Sequence, residues 1–129
     1  MNVVKRIVVA EDEPNIVISL EFLLKKAGHD VTIARDGEAA LRLAREARPD
    51  LLVLDIMLPL INGFEVCHRI REDPALRHIK VLMLTAHGRQ SEIVRGLEAG
   101  ANAYMTKPFA TRDLLTAVAE LLGTRRVHE

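Results

Sequence analysis

Apolar residues occur along this chain in two textures. Short solid runs rich in Val, Ile and Leu stand at Ile7-Val8-Val9-Ala10, Val31-Thr32-Ile33-Ala34, Leu51-Leu52-Val53-Leu54, Val81-Leu82-Met83-Leu84 and, more weakly, Ala103-Tyr104-Met105. Between them, apolar residues recur at spacings of three and four. A run without polar alternation suits a strand buried on both faces of a parallel sheet, whereas the wider spacing suits an amphipathic helix. The first two expected helices carry Ile16, Leu20, Leu23, Leu24 and Ala27, stopped by Gly28, and Ala39, Ala40, Leu43, Ala44 and Ala47, stopped before Pro49. A third runs from near Gly63 through Phe64, Val66, Cys67 and Ile70, and a fourth from Arg89 to Ala99 with Gly100 as its terminal glycine. The fifth carries Leu114, Leu115, Val118, Leu121 and Leu122, with Thr111 as the expected N-cap and Gly123 as the stop. The order is (βα)5. Right-handed crossovers then place helices on both faces of one five-stranded parallel sheet, a three-layer, doubly wound α/β fold of the flavodoxin-like order 2-1-3-4-5.

Composition narrows the function classes. A chain of 129 residues is the size of one domain, expected over residues 1–129 with a core at about 5–123 and a short tail or truncated linker at 124–129. Eighteen Lys and Arg balance eighteen Asp and Glu, so no global field draws the chain to nucleic acid or to an anionic membrane, and neither is expected as a direct partner. Phe22, Phe64, Tyr104 and Phe109 are its only aromatic residues, too few for a base-stacking platform. The single Cys67 cannot form an internal disulfide, no apolar run is long enough to span a bilayer, and Met1 to Arg6 lacks the plan of a signal peptide, so a cytoplasmic location is expected. Any charge that matters must be local.

The polar residues that follow the strands supply it. Glu11 and Asp12 follow the first strand, Asp55 the third, Thr85 the fourth and Lys107 the fifth, all at the carboxyl edge where open α/β sheets bind ligands. In the order 2-1-3-4-5 the first and third strands are neighbours, so Glu11, Asp12 and Asp55 converge. Three carboxylates repel unless a cation compensates, and an oxygen-only cluster suits a hard ion such as Mg²⁺. Glu11 and Asp12 could equally serve the N-terminus of the next helix. Asp55 could not, because the next helix starts only near Gly63. Taken singly, Lys107 reads as a solvated lysine and Thr85 as a strand-end hydroxyl bonded to backbone. His29, His68, His78 and His128 lack metal-binding spacing and are expected at the surface, while Cys67 is expected to pack inside its helix.

Five fragments in order carry a family resemblance. They are Val8-Val9-Ala10-Glu11-Asp12-Glu13, Ala34-Arg35-Asp36-Gly37-Glu38-Ala39-Ala40-Leu41, Pro49 through Pro59 with Asn62-Gly63, Val81-Leu82-Met83-Leu84-Thr85-Ala86, and Gly100 through Phe109. The chain resembles the receiver domain of two-component response regulators, which share the chemotaxis-receiver fold. The resemblance implies that Asp55 accepts a phosphoryl group from a sensor histidine kinase or a histidine phosphotransfer protein. It further implies that Asp12 and Asp55 bind Mg²⁺, or Mn²⁺ in its place, through side-chain oxygens, Glu11 through water, and Met57 through its backbone carbonyl. Lys107 would pair with Asp55 and then with the phosphoryl oxygens, Thr85 would donate its hydroxyl, Tyr104 would act as the switch aromatic, and Lys107-Pro108 would be a cis peptide. Helix 4, strand 5 and helix 5 would form the readout surface toward a downstream partner or a missing effector domain.

Two departures from the family pattern bear on behaviour. Asn102, Ala103 and Ala117 occupy positions where winged-helix regulators place a dimer-forming acidic pair and an arginine, so a monomer or a weak dimer is expected. Met57 and His87 stand two residues after Asp55 and Thr85, positions that in the resembled family flank the path of hydrolytic water; Met57 offers bulk and no hydrogen bond to orient that water, so slow self-dephosphorylation is expected, while His87 gives no direction. Phosphatases of the haloacid-dehalogenase type also use an aspartyl phosphate, but they want a second aspartate where Met57 stands, so turnover of external substrates is not expected. A degenerate receiver acting as a scaffold is disfavoured by the presence of Glu11, Asp12, Asp55, Thr85 and Lys107.

Overall fold

The computed structural model describes residues 4–86 and 88–123. His87 and the tail at 124–129, both named above, lie outside the described residues. Five strands, β1 (Arg6–Ala10), β2 (Asp30–Ala34), β3 (Leu51–Asp55), β4 (Lys80–Thr85) and β5 (Ala103–Thr106), form one sheet in the order β2-β1-β3-β4-β5, and every pairing is parallel. The expected doubly wound order is therefore the observed one. The solid apolar runs of β1, β3 and β4 are buried almost throughout, while the edge strands β2 and β5 are only partly covered. That difference explains why the fifth run reads weakly in the sequence.

The helices are α1 (Pro14–Lys26), α2 (Gly37–Ala47), α3 (Gly63–Glu72), α4 (Gln90–Glu98) and α5 (Thr111–Leu122). The parallel sheet separates two cores. Val8, Ala10, Leu52, Leu54, Val81 and Met83 face α2 and α3, whereas Ile7, Val9, Leu51, Val53, Leu82 and Leu84 face α1 and α5. Successive side chains of a strand point to opposite faces, so each strand feeds both cores in turn.

Local chemistry sets the helix ends. Asp36 caps α2 by accepting from the Ala39 amide at 2.7 Å, and Asn62 caps α3 by accepting from the Glu65 amide at 3.0 Å. Gly28, Gly100 and Gly123 follow α1, α4 and α5 with φ of 97°, 107° and 71°, the left-handed conformation in which glycine ends a helix without strain. Thr111 is not the N-cap that its hydroxyl suggests: it is the first residue of α5, and Ala110 holds the capping position with no side-chain bond. The α2 face is also centred differently, with Leu41 buried alongside Ala40 and Ala44. His29 corrects the expectation of surface histidines, since it is partly buried and its Nδ1 lacks a hydrogen-bond partner among the described residues.

Candidate functional site at the carboxyl edge of the sheet

Strand register assembles the site. Ala10 pairs with Leu54 across β1 and β3, so Glu11 and Asp55, the next residues of each chain segment, emerge side by side. Thr85 pairs with Thr106 across β4 and β5, which brings Lys107 to the same edge, where its amide donates to the Thr85 carbonyl at 2.6 Å. The α3 N-terminus packs close behind Asp55: a Cβ at Gly63 would lie 2.5 Å from the Asp55 carbonyl oxygen and 2.8 Å from the Ile56 Cα. Only glycine fits that approach.

Glu11, Asp12 and Asp55 offer carboxylate oxygens that all lie within 4.8 Å of one another. Glu11 is 0% exposed and Asp55 2%, while Asp12 is open to solvent. Lys107 Nζ stands 3.1 Å from Glu11 Oε1 and 3.3 Å from Asp55 Oδ1. Burial, followed by the neighbouring Asp55 charge, pushes the Glu11 carboxyl above its usual range, although Lys107 and the Glu13 amide work the other way. For Lys107, burial alone would lower the ammonium, but Asp55 and Glu11 outweigh it and the group is raised. One lysine thus faces two buried carboxylates, and the excess negative charge together with the all-oxygen donor set fits a hard divalent cation such as Mg²⁺.

Neither Glu11 nor Asp12 is the N-cap of α1, although Glu11 does serve the start of that helix. Glu13 is the N-cap of α1, with no side-chain cap bond, and Glu11 Oε2 instead accepts from the Glu13 amide at 3.2 Å. Thr85 is 2% exposed and donates its hydroxyl to Glu92 Oε1 at 2.9 Å, a partner in the first turn of α4 that sequence reasoning missed. An acidic residue in the first helical turn is the ordinary complement of the helix dipole, so nothing in the sequence distinguished Glu92. Tyr104 is partly buried, and its hydroxyl oxygen is fully buried without a hydrogen bond of good geometry among the described residues. Met57 is exposed in the loop after β3, and Lys107-Pro108 is a cis peptide bond.

A parallel α/β sheet with paired acids after β1, a buried aspartate ending β3 and a lysine after β5 defines a class of phosphoryl-handling signalling domains. The comparisons agree. Residues 7–119 match the response regulator receiver domain, and the chain belongs to that family. It is 45% identical over 118 residues to the alkaline phosphatase synthesis transcriptional regulatory protein PhoP of Bacillus subtilis (strain 168), covering 92% of this chain and 48% of that protein. It is likewise 45% identical over 118 residues to the phosphate regulon transcriptional regulatory protein PhoB of Rhizobium meliloti (strain 1021), covering 91% and 52%. The chain therefore spans about half the length of these curated relatives. Among solved structures, the receiver domain of the sensor histidine kinase PA1611 from Pseudomonas aeruginosa PAO1 superimposes with a TM-score of 0.87 at 30% identity, covering 95% of this chain and all of that one, and holds a magnesium ion in its active-site cleft. A response regulator from Chloroflexus aurantiacus J-10-fl gives a TM-score of 0.88 at 37% identity, with 92% and 98% covered. The chain is a receiver domain of two-component phosphorelay signalling, and no described helix is long and apolar enough to cross a membrane.

Proposed function

We propose that Asp55 accepts the phosphoryl group of a phosphohistidine carried by a sensor histidine kinase or a histidine phosphotransfer protein. The observation that carries this reading is the buried Asp55 carboxylate at the focus of the acidic cluster with Lys107 at 3.3 Å. A carboxylate oxygen of Asp55 attacks phosphorus in line, the P–N bond breaks, and its electron pair leaves with the imidazole nitrogen, giving an aspartyl phosphate. Such transfer asks mainly for positioning and charge neutralisation, and Lys107 supplies a cationic partner for the new phosphoryl oxygens. Asp12 and Asp55 side-chain oxygens, the Met57 backbone carbonyl and a water on Glu11 would hold Mg²⁺, or Mn²⁺ in its place. When bound, the ion neutralises the carboxylates and the incoming phosphoryl oxygens.

The Thr85 hydroxyl turns to the phosphoryl group, Tyr104 responds, and the α4–β5–α5 surface changes its affinity for an output partner. This is a phosphoacceptor that catalyses only its own labelling and slow unlabelling, not an enzyme acting on external substrates. The unit is a single receiver with its core at about 5–123, acting in the cytoplasm. Its PhoP and PhoB relatives are transcriptional regulators and twice its length, which favours an effector domain or a separate downstream protein as the output. Incubation with acetyl phosphate and Mg²⁺ should add one phosphoryl mass to the wild-type chain and none to Asp55→Asn. An unlabelled wild type, or an equally labelled Asp55→Asn, refutes the reading.

A further inference from the structure

Tyr104 lies along α4. A Cβ added at Gly96 would stand 3.4 Å from both Cδ2 and Cε2 of the Tyr104 ring, so the bare glycine is the bed on which the ring rests. Glu92 sits one turn earlier on the same helix face, at the i, i+4 spacing that stacks side chains. The ring thus runs from Gly96 toward Glu92, and its buried hydroxyl ends beside Glu92 and Thr85, close enough to both for them to alter its acidity, while making no hydrogen bond of good geometry among the described residues. Meanwhile the Thr85 hydroxyl donates to Glu92 Oε1 at 2.9 Å. Burying an unpaired phenol is costly, so an orphaned donor beside a carboxylate whose orientation another donor fixes is a poised arrangement.

Resting on the reading of Asp55 above, we infer that the Glu92 carboxylate is a shared acceptor passed from Thr85 to Tyr104. A hydroxyl carries one proton and a carboxylate can only accept. While Thr85 donates to Glu92 it cannot donate that proton to a phosphoryl oxygen on Asp55. When it turns to the phosphoryl group, Glu92 loses that donor and takes the proton of the Tyr104 hydroxyl in a hydrogen bond instead. The exchange fixes the tyrosine against the first turn of α4, so Glu92 is a positioning residue that ties the phosphorylation site to the output helix.

The composition provides the test, because Tyr104 is the single tyrosine and the chain has no tryptophan, so intrinsic emission reports this phenol alone. A hydrogen bond from a tyrosine hydroxyl to a carboxylate quenches its fluorescence. Emission of the wild-type chain should fall when acetyl phosphate and Mg²⁺ label it, and should not fall in Glu92→Ala or in the shape-preserving Glu92→Gln, with labelling verified by mass. Without any phosphoryl donor, Thr85→Val should already be quenched relative to wild type, and the double variant Thr85→Val/Glu92→Ala should recover. Equal emission of Thr85→Val and wild type, or a quench that persists in the double variant, overturns the exchange. A wild-type chain that takes up no phosphoryl group instead refutes the function reading, and the donor-free comparison still decides the role of Glu92.

Discussion

Glu11 lies buried between an attraction to Lys107 and a repulsion from Asp55, and its carboxyl is raised by burial first and by Asp55 second. The folded chain therefore holds the Glu11 proton more tightly than the unfolded chain does. Its contribution to stability is complete below the ordinary value of 4.5 and is lost as pH climbs through the raised value. In Mg²⁺-free buffer, urea midpoints of the wild type should fall relative to Glu11→Gln over that window, and added Mg²⁺ should remove the difference. Met57, 70% exposed two residues beyond Asp55, has no group that can orient a hydrolytic water. Met57→Asn should shorten the phosphoryl lifetime by roughly tenfold, the modest end of what positioning contributes; equal decay rates in a mass-resolved chase would refute this. Much of the site was legible one residue at a time, since Glu11, Asp12, Asp55, Thr85 and Lys107 each follow or end an apolar run. The double engagement of Lys107 was not, because its contact with Glu11 joins residues 96 positions apart and depends on how deeply the Glu11 side chain is buried.

Arg71, in the last turn of α3, shows how one side chain can hold several elements. Its guanidinium donates to the carbonyls of Gly100 at 2.8 Å, Arg77 at 3.1 Å and Ile79 at 2.7 Å, and to Asn102 Oδ1 at 2.7 Å. The same Asn102 oxygen accepts from the Val81 amide at 2.8 Å, so the entry to β5 is fastened to both α3 and β4. Arg71→Ala orphans several of these acceptors and should cost about 2 kcal/mol, read as a shifted urea midpoint with unchanged slope. The elements themselves were plain in the sequence wherever burial was two-sided, as in β1, β3 and β4. Helix ends were legible where a glycine stops the helix, as at Gly28, Gly100 and Gly123, whereas the Asp36 and Asn62 caps at the starts of α2 and α3 went unread. At α5 the tertiary path set the boundary one residue before Thr111, and a hydroxyl in the right neighbourhood did not make a cap.

Asn102 also bears on assembly of the whole molecule. Its side-chain oxygen is committed inside the fold, and Ala103 and Ala117 carry no charge, so three of the positions expected to form a charge-paired dimer face offer no ion pair. Solution scattering should give a monomer mass before and after phosphorylation at micromolar concentrations, and a phosphorylation-induced dimer through the α4–β5–α5 face would refute this. Neutral overall composition neither favours nor opposes such pairing. The division of each central strand between two cores has one more consequence. Leu51 and Val53 belong to the α1 and α5 side, while Leu52 and Leu54 belong to the α2 and α3 side. The alternation works as a counting device. Inserting one residue before Asp55 would force four leucine and valine side chains to exchange cores or would carry the carboxylate past Glu11 and Lys107, so the spacing of β3 is protected from small insertions by the cores themselves.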